Sequence, residues 1–183
     1  MEELVKISEL CKEQIEKSEY PVVGAKYNNE YKSIDDLVNP NGKIELIDIN
    51  SKEGMKIYRR TLTYILGKAF WNVYPQAHIT VDYQLTNAMY CTIDNMQVTE
   101  EMLKEVKAKM QEIIDKDLPI EKRVMSREEA QKFYEETNTG KGRLQFDIPD
   151  NEEINMYCCG CWFRARSLPV SSARNPWQKN WIS

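Results

Sequence analysis

The sequence predicts an α+β protein, because amphipathic helices and short apolar strands follow one another along most of the chain without an internal repeat. The clearest helix covers about residues 52–74, where apolar side chains recur at helical spacing for five turns. The apolar runs 22–25 and 44–49 are short and bounded by turn residues, which favours strands. With 183 residues, of which 42% are hydrophobic, the chain can form one ordinary domain or a small and a medium one.

The first fifty residues predict a small α+β unit. Residues 4–16 place one apolar stripe on an otherwise charged segment, so we expect the chain to open directly on a helix, which ends before Pro21. A buried strand at 22–25 and a second strand at 44–49 follow. Between them, a short helical turn is expected from Ser33 through Leu37, flanked by asparagine-rich turns.

Capping residues define the helices that follow. Ser51 is placed to cap the helix at 52–74, and Thr99 to cap a helix that runs to about residue 116. Ser126 and Glu129 have the spacing of a capping box, which predicts a helix to about Glu136. Alternation or apolar runs predict strands at residues 78–84, 88–94, 118–124, 141–148 and 154–158.

Charge is distributed unevenly. Of the 25 basic and 29 acidic residues, four basic and no acidic residues fall in 161–183, so the rest of the chain carries a net charge of −8. An acidic body argues against a broad, non-specific grip on nucleic acid. No run is apolar and long enough to span a membrane, and the start lacks a secretory pattern, so a cytoplasmic location without membrane partners is expected.

Motifs for catalysis are incomplete. Gly140-Lys141-Gly142 lacks the first glycine and the hydroxyl of a phosphate-binding P-loop. Cys158 and Cys161 have C-x-x-C spacing, but a structural zinc site needs four ligands, and His78 is the sole histidine. The five cysteines make a poor disulfide framework, and buried free thiols are expected instead. No metal site and no catalytic residue is therefore predicted.

The long helix carries a family resemblance. Its run Tyr58–Ala69, YRRTLTYILGKA, followed by Val73-Tyr74-Pro75, resembles the second additional domain of threonyl- and alanyl-tRNA synthetases. That domain hydrolyses misacylated tRNA, using an H-x-x-x-H pair on this helix and a later C-x-x-x-H. Here the two helical positions hold Arg60 and Tyr64, and the later motif is missing.

Other stretches are similar to bacterial uridine-kinase-like nucleoside kinases, in which a synthetase-like region precedes a P-loop kinase domain. These stretches are residues 20–25, 47–55, 115–122 and 155–160. The resemblance implies a truncated TGS-like, ubiquitin-like domain at 1–50 and a synthetase second-additional-like domain at 51–160. The family kinase domain would use ATP and magnesium, whereas no cofactor is expected in this chain.

Three functional hypotheses follow from the resemblance. The leading one is an accessory region of a uridine kinase-like transferase, catalytically silent by itself and partnered by a kinase domain or polypeptide. The alternatives are an aminoacyl-tRNA editing hydrolase and an RNA- or nucleotide-binding regulatory module. For the last, a groove facing Arg60, Tyr64 and Lys68 is the candidate site for tRNA or a nucleotide, by charge and stacking.

Residues 161–183 form an atypical basic tail. The family match stops after Gly160, and the tail is rich in serine and tryptophan without helical or strand periodicity. We therefore expect this segment to arise from a reading-frame shift or truncation and to lack stable structure. A native basic tail whose tryptophans bind a partner or nucleic acid is the alternative.

Overall fold

The computed structural model of the chain describes residues 4–85, 88–94, 96–136, 154–159 and 162–165. The elements of the first fifty residues are β1 (Val5–Lys6), α1 (Ile7–Leu10), α2 (Lys12–Glu16), β2 (Val22–Tyr27), β3 (Glu30–Lys32), β4 (Leu37–Val38) and β5 (Ile44–Asp48). The later elements are α3 (Lys52–Val73), β6 (His78–Leu85), β7 (Ala88–Asp94), α4 (Glu100–Asp115), β8 (Glu121–Met125), α5 (Arg127–Glu136), β9 (Ile154–Cys159) and β10 (Trp162–Ala165). This mixture agrees with the predicted α+β class.

The prediction that the chain opens directly on a helix over 4–16 is wrong. β1 precedes the helical turns and pairs antiparallel with β4, so Val5 lies opposite Val38. The helical part is divided at Cys11, and Leu4 and Leu10 are exposed rather than part of an apolar face. Ile7 and Cys11 are the buried members, packed with Ala25 and Val38. A pairing partner more than thirty residues away decided the conformation of this segment.

The helical turn predicted from Ser33 through Leu37 is also absent. The segment is a turn that leads into β4, and it is held by the Asp36 carboxylate, which accepts a hydrogen bond from the Ser33 backbone N–H at 3.0 Å. No helix continues from this turn, because Leu37 and Val38 are extended and pair with β1. β2 lies between β3 and β5 in an antiparallel sheet, so the predicted strands at 22–25 and 44–49 are confirmed with small shifts of their ends.

The helix caps are those that the sequence predicts. The Ser51 hydroxyl accepts from the Gly54 N–H at 2.9 Å, and the Thr99 hydroxyl accepts from the Met102 N–H at 3.2 Å. Ser126 and Glu129 form a reciprocal capping box, with bonds of 2.8 and 3.2 Å. Each bond satisfies a donor that the first turn of a helix leaves without an intrahelical partner.

α3 packs on three different partners. Near its start, Ile57 and Tyr58 pack against Val23, Ile47 and Ile49 of the first sheet and the segment that follows it. Near its end, Ile65, Ala69 and Phe70 form an apolar cluster with Met102, Val106, Ile113 and Ile114 of α4. Although α3 has 22 residues, no helix in the described ranges is both long and apolar enough to cross a membrane.

The third partner of α3 is the sheet of β8, β9 and β10, which has β9 at its centre. Side chains of β9 alternate between its two faces, as expected for a strand. Tyr157 and Cys159 contact Tyr64 of α3, while Ile154 and Met156 contact Ala130 of α5. This sheet therefore lies between α3 and α5.

A strand follows Cys161, which corrects the expectation that no regular structure lies beyond that residue. β10 (Trp162–Ala165) pairs antiparallel with β9, and Trp162 lies opposite Cys159. The backbone of β10 continues the sheet although its sequence has no strand periodicity. The predicted strand at 141–148 and the rest of the tail, 166–183, lie outside the described residues.

Candidate functional site

The candidate site is a face of α3 that carries Arg60, Tyr64 and Lys68. These residues are four apart, so they lie one above another on the helix surface. Which residues share this face depends on where the helix starts. At that start, Gly54 follows the Ser51 cap by three residues. A Cβ at Gly54 would lie 1.8 Å from the Asp48 carbonyl oxygen, so only glycine permits the observed approach of the loop to the first turn.

Tyr64 is fully buried and is committed to a bond with the protein itself. Its hydroxyl donates a hydrogen bond to the Tyr157 carbonyl oxygen of β9 at 3.0 Å, and its ring packs with Tyr157, Cys159 and Ile120. The ring therefore does not face an open groove. A nucleobase can stack on it only if the contact between α3 and β9 opens.

Lys68 lies one turn further along and is also buried, with 6% of its surface exposed. Its Nζ donates to the Cys159 carbonyl oxygen at 2.5 Å. Together, Lys68 and Tyr64 bind two carbonyl groups of β9 that lie two residues apart and point to the same side of the strand. An ammonium group buried with a single carbonyl partner is costly unless charge is neutralised nearby.

Arg60 is the most accessible of the three candidate residues. It is half-buried at the turn preceding Tyr64. Within the part of the chain that the structure describes, it makes no ion pair. A guanidinium group in this position can donate hydrogen bonds to a phosphate or carboxylate without first breaking an ion pair within the protein.

The two cysteines at the end of β9 are buried thiols with raised pKa values, which argues against a nucleophilic role. Burial raises the pKa of Cys159, and the nearby Lys68 charge opposes that effect only in part. Burial likewise raises the pKa of Cys158, whose Sγ donates to the Glu121 Oε2 at 3.7 Å. A thiol needs a lowered pKa to react readily. Cys11, Cys91, Cys158 and Cys159 are free, as predicted, and Cys161 lies outside the described residues.

Metal ligands do not converge at this face. Among the described residues, no group of three or more histidine, cysteine, aspartate or glutamate side chains is arranged to hold a metal ion. His78 is the first residue of β6, and Gly140–Gly142 lies outside the described ranges. The partners of Tyr64 and Lys68 are backbone carbonyls, which no residue-type pattern could have identified from the sequence.

Comparison with known proteins gives a consistent set of relatives. Threonine–tRNA ligase of Fusobacterium nucleatum is 28% identical over 138 residues, which are 74% of this chain and 22% of the relative. The ligase of Clostridium kluyveri is 31% identical over 137 residues, again 74% and 22%. That of Rubrobacter xylanophilus is 30% identical over 142 residues, 77% and 22%. No family model matches the chain.

The chain is similar to a region of threonyl-tRNA synthetases. It spans about a fifth of the length of these curated relatives. The synthetase part of the predicted resemblance is thereby confirmed. The relatives named here are ligases rather than nucleoside kinases, so the kinase lineage, the TGS-like unit at 1–50 and the second-additional-like domain at 51–160 stay predictions.

Proposed function

We propose that the chain is a synthetase-related module that binds tRNA and does not hydrolyse aminoacyl esters. The similarity to threonine–tRNA ligases over about three quarters of the chain carries the choice of tRNA as ligand. It favours the tRNA-related alternatives over an accessory region of a kinase. The contacts of α3 then discriminate between the two tRNA-related hypotheses.

The side chains at positions 60 and 64 of α3 are the reason that no editing chemistry is expected. The resemblance assigns positions 60 and 64 to histidines, whose imidazole groups bind metal and exchange protons near neutral pH. The guanidinium group of Arg60 has no acceptor atom, and the Tyr64 hydroxyl already donates a hydrogen bond to a backbone carbonyl. Neither side chain can act as the general base for hydrolysis of an ester. A non-hydrolytic module is therefore the better hypothesis than an editing enzyme.

The charge of the chain limits how it binds RNA. With a net charge of −8 outside residues 161–183, a broad electrostatic grip is disfavoured, so binding has to rest on a few positioned cations. Arg60 is our candidate for one of them, because it is accessible and lies beside the rigid contact of Tyr64 with β9. We expect affinity of roughly micromolar strength and a shallow dependence on salt.

The binding proposal is tested by fluorescence anisotropy with end-labelled tRNA at several salt concentrations. Arg60→Gln should weaken binding several-fold and reduce the salt slope by about one, because one phosphate contact is lost. Lys104→Gln, an exposed cation of α4, is the matched control and should bind as the wild type does. Absence of tRNA binding by the wild-type chain would refute the proposal.

A further inference from the structure

An open cleft of about 620 Å³ lies between β8 and α5, on the opposite side of the sheet from Tyr64. The cleft is shallow and open to solvent, so a ligand would be held mainly by the side chains that line it. The cleft is lined by Arg123, Val124, Met125, Glu129, Lys132 and Phe133. None of these residues is predicted from the sequence to be a binding group.

Strand register explains why a cation and an apolar residue of β8 face the cleft. Arg123 lies opposite Met156 of β9, and Met125 lies opposite Ile154. Residues directly opposite in an antiparallel pair share a face of the sheet. Because Ile154 and Met156 pack on α5, Arg123 and Met125 are on the α5 side as well.

The spacing on α5 provides the other wall. Glu129, Lys132 and Phe133 follow the i, i+3, i+4 pattern, so they project from one side of the helix. Phe133 is half-buried and packs against the cluster of Ala130 and Met156, which holds its ring in place. Lys132 is exposed beside it. The cleft thus combines an aromatic ring, an arginine and a lysine.

Two carboxylates lie near these cations. Glu129 stays ionised, because the bonds from Ser126 lower its pKa, but its Oε2 accepts from the Ser126 N–H at 2.8 Å and is held at the helix start. Arg123 pairs with Glu121, but the two groups are 3.8 Å apart and both more than half exposed. Exposed ion pairs of this kind contribute little to stability, so a phosphate can compete with Glu121 for the guanidinium group.

We propose that this cleft binds a nucleotide unit, with its base against Phe133 and its phosphate between Arg123 and Lys132. Every base has a face that stacks on an aromatic ring, and a phosphate accepts from both cations. The same chemistry is offered by a free nucleoside 5′-phosphate and by a single-stranded RNA segment. The RNA source rests on the proposed function, whereas the site itself rests on the cleft.

The test measures binding of a fluorescent, 5′-phosphorylated six-nucleotide single-stranded RNA, with UMP and AMP as competitors. Arg123→Gln/Lys132→Gln should weaken binding about tenfold, and Phe133→Leu by a similar factor, since stacking on one aromatic side chain accounts for that order. Lys122→Gln is the matched control, because this exposed cation is the neighbour of Arg123 on the opposite face of β8. It should change affinity less than twofold.

Each outcome of this test either supports or contradicts the cleft site. Competition by UMP or AMP that is sensitive to the cleft variants identifies a free nucleotide, and sensitivity seen with the RNA alone identifies an RNA segment. A wild-type chain that binds none of these probes, or cleft variants that bind like the wild type, would overturn the site. Because Arg123 and Lys132 are exposed, their double variant stays interpretable even if Phe133→Leu unfolds.

The intact tRNA titration separates this proposal from the previous one. If tRNA binds equally well to the wild type and to Arg123→Gln/Lys132→Gln, and the short probes and UMP or AMP do not distinguish them either, the cleft proposal fails and the tRNA-binding function stands. If tRNA does not bind while the short probes bind in a variant-sensitive manner, the function fails and the nucleotide site stands.

Discussion

Replacement of Tyr64 by phenylalanine tests the contact between α3 and β9. The substitution keeps the ring and its packing with Tyr157, Cys159 and Ile120, so hardly any cavity forms. It removes the hydroxyl that donates to the Tyr157 carbonyl oxygen at 3.0 Å in a fully buried position. That acceptor then loses a partner where water does not reach.

The expected loss is about 1 to 2 kcal/mol of unfolding free energy, since a buried polar group without its partner costs roughly 1–3 kcal/mol. For a chain of this size, each kcal/mol lowers the melting temperature by about 2–4 °C, so we expect a decrease of about 2–8 °C. Urea unfolding followed by circular dichroism measures both the midpoint and its slope, and thereby separates stability from compactness.

The matched control is Tyr20→Phe. Tyr20 is 40% exposed, so removal of its hydroxyl should change stability by less than about 0.5 kcal/mol. If Tyr64→Phe is as stable as the Tyr20 variant, the hydroxyl is not committed to β9. Tyr64 would then be available as a catalytic group, contrary to the proposed function.

Three further predictions concern stability and chemistry. Hydrogen bonds from Lys109 and Lys116 lower the pKa of Glu112 from 4.5 to about 2, so its contribution to stability is complete above pH 4.5 and is lost as the pH falls towards 2. Glu112→Gln should therefore lower the urea midpoint at pH 6 and not at pH 2, and an equal loss at both pH values would contradict this. Gly54→Ala brings Cβ to 1.8 Å from a backbone oxygen and should lower the unfolding free energy by about 3 kcal/mol. Gly24→Ala is the control, because its Cβ meets the end of a flexible side chain at 3.1 Å and should cost clearly less. Equal melting temperatures of the two variants would refute the clash at Gly54. Finally, purified chain should neither retain an equivalent of zinc nor phosphorylate uridine with radiolabelled ATP, and metal found by elemental analysis or labelled UMP would disprove this.

The features that the sequence predicted correctly are local ones. Ser51, Thr99 and Ser126 define helix starts because the capping side chain and its N–H partner are three residues apart. The stripe of α3 was likewise visible because its period is a property of the helix itself. Neighbouring residues carry this information, so no tertiary contact was needed to predict these elements.

The errors arose where distant pairing decides the structure. Val5 is extended because it pairs with Val38, and β10 forms a strand because it pairs with the edge of β9. At the site, the resemblance predicts that Arg60 and Tyr64 stand where the editing domain has histidines, and this stays a prediction. Residue types also have a limit here. They could not show that Tyr64 and Lys68 bind two carbonyls of a strand about ninety residues later. Every residue has a backbone carbonyl, so residue types do not show which carbonyl accepts a given hydrogen bond.

The lifetime of seryl-tRNA in the presence of the chain tests the central proposal most directly. Radiolabelled seryl-tRNA is incubated with increasing concentrations of the chain, and bound tRNA and remaining ester are measured in the same samples. We predict a saturable complex in which the ester survives at least as long as in buffer, because Arg60 and Tyr64 provide no general base. Faster loss of serine in proportion to bound tRNA would contradict the account, and so would the absence of any complex.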